Sequence, residues 1–189
     1  MEKPWYKKWW GILFILFVVV SLANIVLQQS IRVNQEKFEN LYHSAKAIEG
    51  AIDVGVNYQK FGELLQKFST EISIVSEKAK SLSVDERELL TIYSEVLYMY
   101  QDSYRLWRSK IELSCESFYP APCPLLKNHI HIGEEAAKVY QEKYNLSLFE
   151  NPNVTGLFNR YYIPEDSIQI IWAKAHEKLE KASNLYLGK

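Results

Sequence analysis

The residues best able to ligate a metal ion lie close together, in the run from His129 to Glu135. If this run is helical, His131 and Glu135 stand four residues apart on one face, a spacing that can clamp a metal ion. His129 is out of line with them, and carboxylate di-metal bundles need Glu-x-x-His pairs from other helices, which we do not find. An ordinary polar helix surface explains the run better, and we expect no resident metal or cofactor.

A second candidate is the stretch from Tyr98 to Lys110, which mixes aromatic with basic residues. Such a mixture can bind an anionic ligand through ring stacking and arginine contacts. Helical spacing accounts for its aromatic residues without a ligand, because they fall on one face of a helix. Asp102 and Arg105 are then expected to form a solvated ion pair. We therefore interpret the stretch as part of a buried seam.

Cys115 and Cys123 are the only cysteines, and they flank a short loop that contains Pro120 and Pro122. A disulfide closing this loop is the natural expectation for an exported protein, because exported compartments are oxidising. It would stabilise the fold by roughly 2–3 kcal/mol. Two free thiols are the alternative, and the spacing exceeds that of the usual zinc knuckle.

Four aromatic residues, Phe149, Phe158, Tyr161 and Tyr162, belong to a long connection over residues 145–163. Connections are usually about 4–6 residues long, and longer ones tend to be functional or disordered. The apolar content of this one argues against disorder. Either it folds back as a cap over one end of the bundle, or it shows an aromatic surface to a protein partner. These four residues are the candidate binding residues.

Sequence signatures of catalysis are absent. The chain has no G-x-S-x-G, no H-E-x-x-H, no P-loop and no glycine-rich dinucleotide turn. Its formal net charge is −1 at pH 7, and it has no run of like charges. This balance argues against a nucleic-acid partner. We expect a protein that is not an enzyme.

Apolar residues recur along the chain at alternating spacings of three and four, which indicates amphipathic helices. These helices would position the candidate residues described above. The longest seam runs from Tyr58 to Leu82. A turn is expected within residues 53–57, and a capping box at Ser83 and Glu86 begins the next helix. The other predicted seams are Phe38, Leu41, Ala45, Ile48 and Ile52; then Leu89, Tyr93, Val96, Tyr100, Tyr104, Trp107 and Ile111; and finally Ile168, Trp172, Ala175, Leu179, Ala182 and Tyr186.

The predicted fold is all-α. No segment alternates with period two for long enough to make a convincing strand, and the early connections are short. We predict an up-and-down antiparallel bundle of four long helices plus one shorter helix over residues 31–189. The shorter helix is expected to carry Leu126, Ile130, Ala137, Tyr140 and Tyr144, and the last helix to open at Pro164.

The N-terminal region indicates where in the cell the protein is located. Residues 9–31 contain no charged residue, and residues 9–27 are long enough to cross a hydrocarbon core of about 30 Å. Lysines precede this run, with Trp5, Trp9 and Trp10 beside them, and such flanks favour the cytoplasmic side. We predict that residues 1–30 form a cytoplasmic stub and transmembrane anchor in the cytoplasmic membrane, with residues 31–189 outside.

A cleaved signal peptide is the alternative interpretation, because Ser21-Leu22-Ala23 places small residues before a possible cleavage site. The apolar run continues past that site to Leu27, which favours a retained anchor. The opening KPWYKKWWGILFILFVVV resembles the start of many membrane-anchored proteins of low-GC Gram-positive bacteria. That resemblance implies an origin in such bacteria and carries no functional residue.

These features predict a non-enzymatic, membrane-anchored extracytoplasmic bundle that acts through protein or small-ligand contacts. One alternative is a ligand-sensing bundle that works with a separate signalling partner. A further alternative, a metal-binding enzyme, depends on His131 and Glu135 alone.

Overall fold

The computed structural model describes residues 16–21, 33–112, 129–150 and 161–189. Residues 16–21 are helical. Five further α-helices follow, with a 3₁₀ turn at Ala79–Ser81 and three short strands. The helices are α1 (Gln35–Val54), α2 (Tyr58–Ser76), α3 (Val84–Glu112), α4 (Glu134–Tyr144) and α5 (Ser167–Leu187), and the strands are β1 (His129–Ile132), β2 (Phe149–Glu150) and β3 (Tyr161–Pro164).

The four long helices α1, α2, α3 and α5 form a bundle. α3 packs against α2 and α5, and α1 closes the arrangement by packing against α2 and α5. The ends that meet give the directions: Gln35 at the start of α1 bonds the carbonyl of Tyr186 at the end of α5. Phe68 of α2 contacts Tyr93 of α3. Neighbouring helices therefore run antiparallel, as the sequence predicts.

The connection between α1 and α2 is a tight turn, as expected for residues 53–57. Gly55 has a φ of +90°, a conformation that residues with a Cβ rarely adopt. Asn57 is the N-cap of α2, and its side-chain oxygen accepts a hydrogen bond of 2.8 Å from the backbone N–H of Lys60. That bond satisfies one of the helix's free N–H groups.

The predicted seams form the main core. Their buried members, from α1 to α5, are Phe38, Leu41, Ala45, Ile48, Phe61, Leu65, Phe68, Ile72, Val75, Leu82, Leu89, Tyr93, Val96, Tyr100, Ala175, Leu179, Ala182 and Tyr186. Three details differ from the prediction. Ile168 of the last seam belongs to a second core, described below. α2 ends at Ser76, so Leu82 reaches the core from the following turn, and Ile111 is exposed in the last turn of α3.

The capping box at the start of α3 is confirmed. The backbone N–H of Ser83 donates to Glu86 Oε2 at 2.8 Å, and the N–H of Glu86 donates to Ser83 Oγ at 3.2 Å. Glu86 is buried and also accepts from Lys37 Nζ at 3.1 Å and from the N–H of Asn34 at 3.3 Å. One carboxylate therefore ties the start of α1 to the start of α3.

A small antiparallel sheet corrects the all-α prediction. Its strand order is β1-β3-β2. Ile130 pairs with Ile163, and Phe149 pairs with Tyr162. The predicted fourth helix is accordingly shorter: Ile130 lies in a strand, and the helix begins at Glu134. Alternation of histidine and isoleucine suits a half-buried strand, because it places both isoleucines on one face.

The inner face of the sheet forms a second, smaller core with α4 and with parts of α3 and α5. Its buried members are Leu106, Ile130, Ile132, Ala137, Tyr144, Leu146, Ile163, Ile168 and Ile171. Pro164 closes β3, so the last helix starts at Ser167, three residues later than predicted. This core holds the described parts of the long connection, residues 145–150 and 161–163, against the bundle.

Asp102 links this second core to α3. Its Oδ2 accepts hydrogen bonds of 2.7 Å from the Tyr144 hydroxyl and from Lys143 Nζ, and its Oδ1 lies 3.2 Å from Arg105. The predicted pair with Arg105 is present, but the expectation that it is solvated is wrong, because Asp102 is buried. Burial and the bond to Asp102 raise the pKa of Tyr144.

None of the helices in the described part of the chain is long and apolar enough to span a membrane. Most of the uncharged N-terminal run lies outside the described residues, as do Cys115, Cys123 and Phe158. The anchor, the disulfide and the role of Phe158 therefore stay predictions.

Candidate functional site

Three rings meet on the outer face of the sheet, opposite the second core. The rings of Phe149 and Tyr162 stack with their centroids 5.5 Å apart and an interplanar angle of 15°. His129 meets Tyr162 edge-on at 4.6 Å and Phe149 at 6.3 Å. Each ring comes from a different strand, so strand pairing fixes their positions before any partner arrives. We call Phe149, Tyr162 and His129 the sheet-face cluster.

The strand register places the predicted binding residues that the structure describes on two different faces of the sheet. Phe149 and Tyr162 are cross-strand partners and belong to the outer face. Tyr161 pairs with Ile132, and its ring packs against the second core. Tyr161 is therefore a structural residue, while Phe158 lies outside the described residues. Period-two alternation along β3 is the signal that separates Tyr161 from Tyr162.

The common helix that would align the weak metal candidates His131 and Glu135 is not formed. His131 lies in β1, whereas Glu135 lies in the first turn of α4, so the two residues do not share a helix. The spacing of four residues then no longer places them on one face. Within the described residues, no group of histidine, cysteine, aspartate and glutamate side chains could hold a metal ion.

Aromatic residues of the stretch from Tyr98 to Lys110 on α3 pack against neighbouring helices, as expected for part of a seam. Tyr104 stacks on Tyr58 at 4.4 Å with an interplanar angle of 1°, and Trp107 meets Trp172 of α5 at 5.7 Å. Burial and a hydrogen bond with Tyr104 raise the pKa of Tyr58 to about 12. Gly62 makes room for this pair, because a Cβ there would lie 2.9 Å from the Tyr104 hydroxyl.

A shallow groove of about 620 Å³ lies beside that stack, between α2 and α3. Its lining is mainly uncharged and polar: Gln59, Gln66, Ser69, Thr70 and Gln101 together with the two tyrosines. The carboxylate in the lining, Glu63, is paired with Lys60 at 3.1 Å. The groove offers hydrogen-bonding groups but no concentrated charge.

A second cavity, of about 410 Å³, opens where α1 meets α5 above α3. We call it the α1–α5 cleft. Three carboxylates line it, two on α1 and one on α5, and it also contains aromatic and apolar side chains. Its lining residues are Glu49, Ile52, Asp53, Tyr100, Gln169, Trp172, Ala173, His176 and Glu177.

Sequence reasoning did not single out the α1–α5 cleft. Glu49 and Asp53 stand four residues apart on α1, and Trp172, His176 and Glu177 lie within little more than one turn of α5. Each spacing is an ordinary helix surface pattern, and only the packing of α1 against α5 brings the two sets together. No single-helix signal could have found the site.

Comparison of the chain with protein-family models, with the curated proteins and with the solved structures finds no match in any of the three.

Proposed function

We propose that this chain is a non-enzymatic binding module, held at the cytoplasmic membrane, that contacts a protein partner through the sheet-face cluster. The observation that carries the proposal is the exposed aromatic stack: Phe149 is 43% exposed although it is large and apolar. A ring fixed by its neighbours loses little conformational freedom when a partner covers it. Aromatic residues are also enriched in the centres of protein interfaces.

The membrane part of the proposal is supported by the sequence of residues 9–27 and by the helix at residues 16–21. Leu16, Phe17, Val19 and Val20 are each more than half exposed, so this apolar surface has no cover among the described residues. A bilayer would cover it, because lipid takes up apolar side chains on a helix without any unpaired backbone group. The lysines before residue 9 orient the body outwards. Secretion after cleavage near Ala23 is the alternative.

Topology gives the first test of the proposal. Protease added to intact spheroplasts should digest the body and leave a small membrane-bound fragment from the N-terminus. The reason is the predicted orientation, with residues 31–189 outside. Immunoblots against tags at both ends, before and after lysis, make the measurement. A body protected until lysis contradicts the proposal, and a mature N-terminus at Asn24 would favour cleavage.

Partner binding gives the second test. Phe149→Ser in the full-length chain should weaken co-purification of a membrane or extracytoplasmic partner by about tenfold or more, as expected for an aromatic residue at the centre of an interface. The melting midpoint should barely move, because surface substitutions usually change stability by less than about 0.5 kcal/mol. Quantitative mass spectrometry after mild cross-linking measures the recovered partner.

Val139→Ala is the matched control, because Val139 is an exposed apolar residue on α4 that lies outside the sheet-face cluster. It should leave partner recovery unchanged. Equal recovery with Phe149→Ser and with the unchanged chain would contradict the proposed surface. Tyr161→Ala should instead lower the melting midpoint, because Tyr161 packs on the second core.

A second candidate function is the ligand-sensing bundle. The observation that favours it is the α1–α5 cleft, which has the volume of a small-molecule site. The chemistry of that cleft indicates which class of ligand would fit.

A further inference from the structure

The side chain of Tyr100 lies at the floor of the α1–α5 cleft. Tyr100 is 1% exposed and lines the cleft. Its hydroxyl forms no hydrogen bond to any residue that the structure describes. Burial raises the pKa of Tyr100, and the nearby carboxylates of Glu49 and Asp53 raise it further. A phenolic hydroxyl on the wall of a cavity can donate to or accept from a ligand in that cavity.

The walls of the cleft carry an excess of negative charge. Glu49, Asp53 and Glu177 contribute three carboxylates. The facing basic side chains are Lys46, whose Nζ lies 2.5 Å from Glu49 Oε2, and His176, whose Nδ1 lies 2.6 Å from Glu49 Oε1. Both approach the same carboxylate. Asp53 and Glu177, one on each wall, form no ion pair within the described residues and are exposed to the opening.

An indole ring forms part of the wall in a fixed position. The Trp172 N–H donates a hydrogen bond of 2.9 Å to Ser103 Oγ, and the ring meets Phe61 and Trp107 edge-on. Ile52 and Ala173 add apolar surface beside it. The cleft thus combines a rigid aromatic wall with carboxylates on two sides, the combination that recognises organic cations.

We propose that the α1–α5 cleft binds a linear aliphatic polyamine. Its ammonium groups would donate hydrogen bonds to Asp53 and Glu177 on opposite walls and to the Tyr100 oxygen. The methylene segments between them would pack on Trp172 and Ile52. A bare metal ion fits less well, because no group of side chains within the described residues could hold one. A cleft of about 410 Å³ lies within the range of small-ligand sites.

This site is independent of the proposed partner surface. The α1–α5 cleft shares no residue with the sheet-face cluster, and Phe149→Ser should leave polyamine binding unchanged. Failure of either test therefore leaves the other proposal intact.

Isothermal titration of the detergent-solubilised full-length chain with spermidine tests the proposal, with the total tryptophan fluorescence as a second signal. We expect saturable binding that Asp53→Asn and Glu177→Gln each weaken about tenfold, as for loss of a charge-assisted hydrogen bond. Glu63→Gln is the matched control, because it removes one carboxylate from the other groove. Melting curves should overlay, since Asp53 and Glu177 are exposed.

Two further titrations define the ligand class. N-acetyl-lysine amide carries one ammonium group and should bind at least about tenfold more weakly than spermidine, because it reaches one wall only. Mg²⁺ at matched ionic strength should not displace spermidine. The proposal is overturned by absent or non-saturable spermidine binding, by an equal loss in Glu63→Gln, by equal affinity for the monoamine or by displacement by Mg²⁺.

Discussion

Replacing Phe61 with alanine is expected to lower the free energy of unfolding by about 3–5 kcal/mol. The side chain is 0% exposed and occupies the point where three long helices meet. Its ring contacts Tyr100, Trp107 and Trp172, with centroids 5.5–6.0 Å away. Removing it deletes buried apolar area, leaves a cavity and ends these ring contacts. Urea denaturation of the detergent-solubilised chain, followed by circular dichroism, measures the change.

Gln66→Ala and Lys67→Ala are the controls, because both residues lie on the exposed side of the same helix. Each should change the free energy of unfolding by less than about 0.5 kcal/mol. Leu65→Ala and Ile72→Ala, on the buried side, should cost about 2–5 kcal/mol. Equal effects on the two sides would show that the buried face of α2 is misplaced.

The long helices could be predicted because their signals are local. Phe61, Leu65, Phe68 and Ile72 repeat at spacings of three and four within one segment, and burying that stripe is the main way such a helix is stabilised. The boundaries follow from equally local chemistry, such as the capping box that begins with Ser83. These features needed no knowledge of distant parts of the chain.

The sheet could not be predicted in the same way, because its stability comes from residues far apart in sequence. Ile130 becomes a strand residue by pairing with Ile163 and burying against α3 and α4. Four residues of alternation in β1 are too few to distinguish a strand from the start of a helix. The assumption that one helix carries both His131 and Glu135 was wrong for this reason, because His131 lies in β1.

Hydrogen bonds and ion pairs between residues on different helices also could not be predicted from the sequence. Asp102 was expected to be solvated because its partner three residues away is visible in the sequence, whereas Tyr144 and Lys143 reach it from α4. The α1–α5 cleft depends in the same way on helix packing. Charges and rings on an amphipathic surface therefore define a site only once the neighbouring helix is placed.

Glu86→Gln is expected to lower the free energy of unfolding near neutral pH by about 1–3 kcal/mol, because buried donors lose a charged acceptor. Burial alone would raise the pKa of Glu86. The hydrogen bonds from the Ser83 N–H, from Lys37 and from the Asn34 N–H outweigh that effect, so the pKa in the folded state is lowered from its ordinary value of 4.5. The carboxylate, rather than the neutral acid, stabilises the fold.

The pH dependence identifies the charge as the cause. A group whose pKa is lower in the folded state contributes its full stability above its unfolded pKa, and that contribution is lost as the pH falls through the folded pKa. The difference in stability between the unchanged chain and Glu86→Gln should therefore be constant above about pH 5.5 and shrink below pH 4.5. Urea titrations across this range measure it.

Glu88→Gln controls for a general effect of removing a carboxylate from α3, because Glu88 is half exposed and lies 3.5 Å from Lys181. An exposed pair of this kind contributes about 0–1 kcal/mol, so the control should show little change at any pH. If the Glu86→Gln difference stayed the same down to acidic pH, packing rather than charge would join α1 to α3. The buried carboxylate would then be incidental to the bundle that positions both proposed binding sites.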